Sequence, residues 1–436
     1  MSGADSLMFS DRLTMHVRPD PSRVVLRPLK LATEPRGLNA TDETRVNHVL
    51  DRVLALDAQT TERLLADVLE NFQGRHRDLL ETFEARAGEM EKAFAPHAEF
   101  SKTQRRLIGA YFLHEYTFEA AALFNPSIVR NPDQSGAPSG GCKFILSLRA
   151  VGEGHVSSLT FRSGTIAADG DVTFEPPARL ATIPRVQNRT STPDGDEVEV
   201  VFRPDEIISE RIIFPVTASQ VNGIEDARFV EFEDTAGTTF YATYTAYSGS
   251  AIRSELLETT DFLSFRLTPL RGAAAQNKGM ALFPRRIDGR YAMIGRQDNE
   301  NLYFMCSDDL REWNGGQIVL RPQFPWEFVQ MGNCGSPIEL DEGWLLLTHG
   351  VGPMRKYSIG AALLDKKDPS RVLARSREPL VRPDQQSERE GYVPNVVYTC
   401  GAMRHGDYII LPYAISDTFS TFATIKIASL MSALSA

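Results

Sequence analysis

The chain has 436 residues and a net charge of −10, with 42% hydrophobic and 24% charged residues. That is the composition of an ordinary globular protein with room for about two or three domains, and its acidic balance argues against nucleic acid as a partner. No run of about 18 uncharged apolar residues spans a membrane, and no basic start followed by an apolar stretch marks a signal peptide. The four cysteines are scattered without a Cys-x-x-Cys pair, which argues against a structural zinc cluster and fits a reducing, cytoplasmic compartment.

Residues 1–40 read as irregular and contain prolines. Helical spacing follows. Val46, Val49, Leu50, Val53 and Leu54 lie on one helix face, as do Leu64, Leu65, Val68, Leu69 and Phe72. Leu79, Leu80, Phe83, Met90 and Phe94 predict a third helix. Residues 101–123 read as a fourth, ending at Phe124-Asn125-Pro126. The charged faces of these helices are most simply solvated surface.

From residue 124 onward, short β-rich runs alternate with Gly, Pro, Asn and Asp. Hairpins are expected at Lys143–Phe161, Ala227–Tyr247, Met280–Arg296, Ser336–Val351 and Asn395–Ser416. The turn glycines Gly237, Gly289, Gly343 and Gly406 recur at intervals of 52, 54 and 63 residues. Such a cadence suits propeller blades. Five units predict a mainly β fold, a five-bladed β-propeller, with a β-sandwich carrying long loops as the alternative. The expected division is an extended segment and α-helical region over 1–120, then a propeller catalytic domain over 121–436.

Polar residues cluster at one end of these hairpins. In a closed propeller those ends converge on one mouth, bringing together Arg149, Asp226, Arg228, Lys278, Arg296, His349 and Asp417. Cations outnumber carboxylates in this set. A cationic pocket in an acidic protein points to a small anionic substrate, with phosphate held by Arg forks and a Lys charge as the leading choice. A carboxylate among them suits acid catalysis. Taken singly, Arg149 and Arg228 are equally readable as partners of acidic neighbours, and His349 as a structural histidine. Tyr244, Trp326 and Tyr392 are placed near the mouth, where aromatic rings stack on sugars. Zincin, P-loop and nucleophile-elbow patterns are absent: Phe118 stands where the second zincin histidine belongs, and Cys142 where a P-loop lysine belongs.

Several ordered motifs resemble one family. They are Phe124-Asn125-Pro126, Leu148-Arg149-Ala150, Gly223-Ile224-Glu225-Asp226-Ala227-Arg228, Tyr244-Thr245-Ala246-Tyr247, and Lys278 followed by Leu282-Phe283-Pro284. Arg296, Gly335-Ser336-Pro337-Ile338, His349-Gly350-Val351, Gly391-Tyr392-Val393-Pro394-Asn395 and Asp417 follow in order. Together they resemble glycoside hydrolase family 130, the β-mannoside phosphorylases and related β-mannosidases. The resemblance implies a five-bladed propeller and an inverting phosphorolysis of a β-mannosidic bond, giving α-mannose 1-phosphate. It implies Asp226 as general acid, its proton passing through a hydroxyl of the bound mannose. It implies Arg149, Lys278, Arg296 and His349 on the phosphate side. On the sugar side it implies Asn125 and Asp417, to which we add Arg228 and Tyr244. No metal or organic cofactor is expected; inorganic phosphate is the co-substrate and a mannoside or oligosaccharide the substrate. The family's usual Glu-Asp-Pro-Arg reads Glu225-Asp226-Ala227-Arg228 here, and the helical region is an addition to its short members. A homo-oligomer using those helices is expected. The alternatives are an inverting β-mannosidase with water as nucleophile, and a noncatalytic sugar-binding propeller.

Overall fold

The computed structural model describes residues 9–10, 15–31, 45–94 and 99–435. Most of the irregular start read from the sequence lies outside them. The chain forms two compact units. One comprises Pro21–Thr117 with Arg179–Thr182, and the other Met1–Asp20, Phe118–Ala178 and Ile183–Ala436. No helix among the described residues is long and apolar enough to cross a membrane.

Strand β1 (Phe9–Ser10) belongs to the sheet-built unit. The helical unit then contains β2 (Val25–Pro28), α1 (Arg45–Leu54), α2 (Ala58–Phe72), α3 (Leu79–Phe94), α4 (Lys102–Tyr111) and β3 (Leu113–Tyr116). Two of its helices start on side-chain caps. Asp57 accepts from the Thr60 amide, and Ser101 and Gln104 form a reciprocal box. Leu50, Val53, Ala87, Met90, Leu107, Ile108 and Phe112 fill its core. Gly109 permits the close crossing of α3 and α4, since a Cβ there would stand 1.9 Å from the Phe83 carbonyl oxygen. The fourth helix is shorter than the sequence suggests. It stops at Tyr111, and Leu113–Tyr116 turns extended to pair antiparallel with Val25–Pro28. Tertiary pairing overrides helical spacing there.

The second unit consists of antiparallel strand stacks. The first holds β4 (Ala122–Arg130), β5 (Cys142–Val151), β6 (Ser157–Ile166) and β7 (Val172–Phe174). The polar insertion forms a hairpin, β8 (Arg185–Thr192) and β9 (Gly195–Val201). A short β10 (Ile212–Ile213) then pairs with β6. The second stack is β11 (Gly223–Asp234), β12 (Gly237–Tyr247), β13 (Ile252–Thr259) and β14 (Ser264–Pro269), extended by the β8–β9 hairpin. A single parallel pair, Gly223 with Ser157, joins it to the first. The third is β15 (Ala281–Leu282), β16 (Tyr291–Gly295), β17 (Leu302–Ser307) and β18 (Gln317–Leu320). The fourth is β19 (Gln330–Asn333), β20 (Ile338–Glu339), β21 (Trp344–Val351), β22 (Tyr357–Leu364) and β23 (Val372–Arg375). The fifth is β24 (Val397–Tyr398), β25 (Met403–His405), β26 (Tyr408–Ile415) and β27 (Phe419–Lys426), with β1 alongside β27. A helix, Ile427–Ser435, follows.

Apolar side chains fill each gap between successive stacks. Phe161 and Phe229 meet between the first and second, and Phe232 and Met293 share a cluster between the second and third. Phe283 meets Trp344 between the third and fourth, and Leu347 and Leu411 share the next cluster. The fifth packs back on the first: Ala414 clusters with Ala122 and Phe124, and the Leu123 amide donates to the Thr418 carbonyl at 2.9 Å.

Two turns deserve comparison. Gly152–Val156 joins β5 to β6, and Gly352–Lys356 joins β21 to β22, with matching backbone angles at both glycines. His155 and Arg355 both take positive φ. The expected hairpin at Lys143–Phe161 is therefore present, but it joins the second and third strands of its stack. The turns at Gly237 and Gly343 precede the corresponding strands, β12 and β21, so the repeat is offset by one strand in the first unit.

Candidate active site

Two β-bulges build the centre of the site. In β4 the pairing with β5 slips between Phe124 and Ser127, and in β11 the pairing with β12 slips between Glu225 and Arg228. The bulged residues Asn125 and Asp226 have φ of 49° and 54°. Side chains other than glycine pay for this left-handed backbone, and such strain concentrates at functional sites. Pro126 is tolerated within β4 because the bulge removes the ladder bond its nitrogen cannot make. Phe124-Asn125-Pro126 thus lies inside a strand, where the sequence reading placed a break.

The bulges aim the two side chains at each other. Asn125 Nδ2 donates to Asp226 Oδ1 at 2.7 Å. Arg149, on β5, donates to the same oxygen at 3.1 Å and to Glu225 Oε1 at 2.7 Å. Its Nε donates to Ser157 Oγ at 2.9 Å, which fixes the plane of the guanidinium. Lys278 donates to Glu225 Oε2 at 2.7 Å. Arg228 donates to the Asp226 carbonyl at 2.9 Å and to the Tyr398 hydroxyl at 2.8 Å. The Tyr398 ring lies 4.8 Å from that of His349, and Arg296 Nη1 donates to His349 Nε2 at 3.4 Å. Tyr357 also stacks on His349, at 5.9 Å.

Asn125, Arg149, Asp226, Arg228, Lys278, Arg296 and His349 are therefore brought together, as one chain of contacts drawn from all five stacks through Tyr398. Asp417 joins them electrostatically. It sits at φ 50° in the turn between β26 and β27 and acts on Arg149. Tyr244 does not join them. Its side chain is buried in the core of the second stack, where its hydroxyl donates to Glu255 and accepts from Gln220. Trp326 also serves packing: its ring covers Gly350 and Gly360, and its Nε1 donates to the Arg377 carbonyl. Sequence reading missed Glu225, Tyr357 and Tyr398. Glu225 was visible beside Asp226, but nothing local tells that it divides its two oxygens between Arg149 and Lys278.

The electrostatics separate the two central aspartates. Burial would raise the pKa of Asp226, but Arg149, Lys278, Arg228 and the Asn125 bond outweigh it and hold the carboxyl well below its ordinary range. Burial dominates at Asp417 and, with help from Asp226 against Arg149 and Arg355, pushes it up to about 7. Burial and the neighbouring Arg296 and Arg228 depress His349, which stays neutral. Since Arg296 donates to Nε2, the ring hydrogen sits on Nδ1, and that atom is buried without a partner among the described residues. Arg296 Nε, Arg228 Nε and Asn125 Oδ1 share that condition. Unmet buried polar groups cost about 1–3 kcal/mol each. Their gathering at one place marks a site built for a polar ligand.

A pH test follows from Asp417. A carboxyl with a raised folded pKa contributes stability below its unfolded value, near 4, and loses it as pH rises through about 7. Asp417→Asn should therefore gain in melting temperature relative to the parent between pH 5 and pH 8. Parallel thermal melts across that window check it; an unchanged difference counts against the burial of this carboxyl.

Comparison with known proteins places the chain. Residues 203–436 match the family described as beta-1,4-mannooligosaccharide phosphorylase, glycoside hydrolase family 130. A 1,2-beta-oligomannan phosphorylase of Thermoanaerobacter sp. (strain X514) is 32% identical over 217 residues, covering 48% of this chain and 70% of the relative. A beta-1,2-mannobiose phosphorylase of Listeria innocua is 31% identical, covering 50% of this chain and 62% of the relative. The solved structure of beta-1,2-mannobiose phosphorylase from Listeria innocua with beta-1,2-mannobiose shares the fold. Its TM-score is 0.53 at 24% identity, over 72% of this chain and 92% of that one. The family match and these relatives thus define a carbohydrate-active enzyme. The chain belongs to glycoside hydrolase family 130.

Proposed function

We propose that the chain is an inverting β-mannoside phosphorylase on a five-bladed β-propeller. The cyclic packing of the five stacks supports the propeller, since the last packs back on the first. A cavity of about 270 Å³ supports it too, for its lining includes Val129, Phe229, Pro284, Ile338 and Met403, one from the region of each stack.

The observation that carries the activity is the cationic group around Asp226, with Arg296 and His349 holding unpartnered polar atoms. In this reading the mannose sits against Asn125, Arg228 and Asp417. Phosphate lies among Arg149, Lys278, Arg296 and His349. A phosphate oxygen attacks the anomeric carbon while the glycosidic C–O bond breaks. The proton of Asp226, relayed through a sugar hydroxyl, goes to the leaving oxygen. The products are α-mannose 1-phosphate and the shortened sugar.

The cations around Asp226 favour its ionised form, so a proton donor needs them offset. A phosphate dianion drawn onto Lys278 and Arg149 cancels the field that depresses this carboxyl and raises its affinity for a proton. The substrate that serves as nucleophile thereby arms the acid. Holding it in line removes much of the entropic barrier.

The test is incubation with β-mannobioses of each linkage, with and without phosphate, beginning with the 1,2 linkage for which two relatives are named. Mannose 1-phosphate formed only with phosphate is expected. None from any linkage overturns the reading, and phosphate-independent mannose selects water as nucleophile. His349→Ala should raise KM for phosphate about tenfold while moving KM for the mannoside little.

A further inference from the structure

The fourth stack carries one more polar side chain at this place. Asn333, at the end of β19, is fully buried, and neither Oδ1 nor Nδ2 has a hydrogen-bond partner among the described residues. An interior amide with both ends unmet is uncommon, because each end loses its water without a replacement.

Its surroundings say what the amide faces. Gly279 follows Lys278 at φ 93°, and a Cβ on it would stand 3.8 Å from Asn333 Oδ1 and 3.8 Å from Arg296 Nε. Arg296 Nε is itself buried and unpartnered. The preceding residue, Gly332, pairs with His349 across the ladder, and a Cβ there would stand 2.4 Å from the His349 ring and 3.2 Å from Arg296 Nη1. Gly332 thus makes room for the His349 ring, and Gly279 leaves the place beside Lys278, where Asn333 and Arg296 converge, without a crowding side chain. Two donors, Asn333 Nδ2 and Arg296 Nε, and one acceptor, Asn333 Oδ1, are left open there.

We propose that Asn333 is a further phosphate-binding residue, its Nδ2 donating to an oxygen of the bound oxyanion while its Oδ1 takes the Arg296 Nε hydrogen and sets that guanidinium. A phosphate dianion presents mostly acceptor oxygens and one hydroxyl, so its charged oxygens need donors such as an amide nitrogen. Splitting the two ends between anion and guanidinium satisfies every open atom at once. The inference rests on the phosphorylase reading and adds to it a residue that no cationic motif marks.

Two variants test it. Asn333→Ala removes both ends. Asn333→Asp keeps the shape and an oxygen for the Arg296 Nε hydrogen but turns the donor into a charged acceptor facing phosphate. Initial rates are measured with phosphate varied at saturating mannoside, and with mannoside varied at saturating phosphate. Calorimetry of inorganic phosphate binding and thermal melts accompany them. KM for phosphate should rise about tenfold in the alanine variant and further in the aspartate variant. KM for the mannoside should change less than about twofold, and the phosphate heat signal should weaken in step. A wild-type protein that binds and consumes phosphate, with both variants matching its phosphate KM, overturns this inference alone. Lowered melting temperatures with both KM values moved equally make Asn333 structural and overturn it too. A wild-type protein indifferent to phosphate overturns both this inference and the reading beneath it.

Discussion

Asp226→Asn should abolish glycoside cleavage and leave the protein folded. The amide has the carboxylate's shape, and its oxygen still accepts from Asn125 and Arg149, the two donors now on Oδ1. Arg149 also keeps Glu225. What is lost is the transferable proton, and general acids contribute about 10²–10⁴ in rate. A loss of about a thousandfold or more in mannoside turnover is expected, with near-native circular dichroism. The variant should also be less sensitive to acid. The parent carboxyl, with its depressed folded pKa, lends stability above the unfolded value, and loses it as pH falls through the folded one. Product chromatography and acid titration of the melting temperature measure both. Retained activity would remove Asp226 from the mechanism.

Arg149→Leu should be the most damaging single change to stability in the site. The guanidinium binds Glu225 at 2.7 Å, Asp226 at 3.1 Å and Ser157 at 2.9 Å, and lies 5.0 Å over the Phe124 ring. Removing it leaves Glu225 only Lys278, and Asp226 only Asn125, as direct side-chain partners in a desolvated place, and breaking such an ion pair costs about 3 kcal/mol or more. The cost should shrink when Asp226→Asn is present, because one of the two charges is gone. Denaturant unfolding of the two single variants and the double variant reads that coupling. A cost below about 1 kcal/mol would mean the group behaves as a surface ion pair. Activity should fall with it, since Arg149 helps orient Asp226 and, in the proposed reading, stands on the phosphate side.

Much of this site was legible because its residues stand at the open ends of hairpins whose turns carry clear signals. Gly289, Gly343 and Gly406 mark hairpins, and Lys278, His349 and Asp417 stand at their far ends. Three things were not legible, for identifiable reasons. The bulges at Asn125 and Asp226 break the period of two by inserting residues, so Phe124-Asn125-Pro126 looked like an end of structure. Tyr244 shares a strand with motif residues, but its side chain ends against Glu255, and no spacing rule tells a core hydroxyl from a ligand-facing one. Tyr398 meets Arg228 across 170 residues of chain. Long-range pairing of that kind is set by how the stacks close, not by local pattern. The cationic excess was also overstated, because Glu225 occupies part of Arg149 and Lys278.

The Pro21–Thr117 segment of the helical unit enters and leaves the chain at a single stem. Thr117 Oγ1 donates to the Pro21 carbonyl at 3.5 Å, and Val25 pairs with Tyr116. Sheet-built segments stand on both sides in sequence: Val17 bridges to Ser420 before it, and β4 follows after it. The helices are thus a cassette spliced into a host chain, not a leader in front of it. A cassette whose ends touch asks of its host only a short closure, whatever its own length. Its sequence can drift, lengthen or be exchanged without moving the register of any strand that carries Asn125 or Asp226.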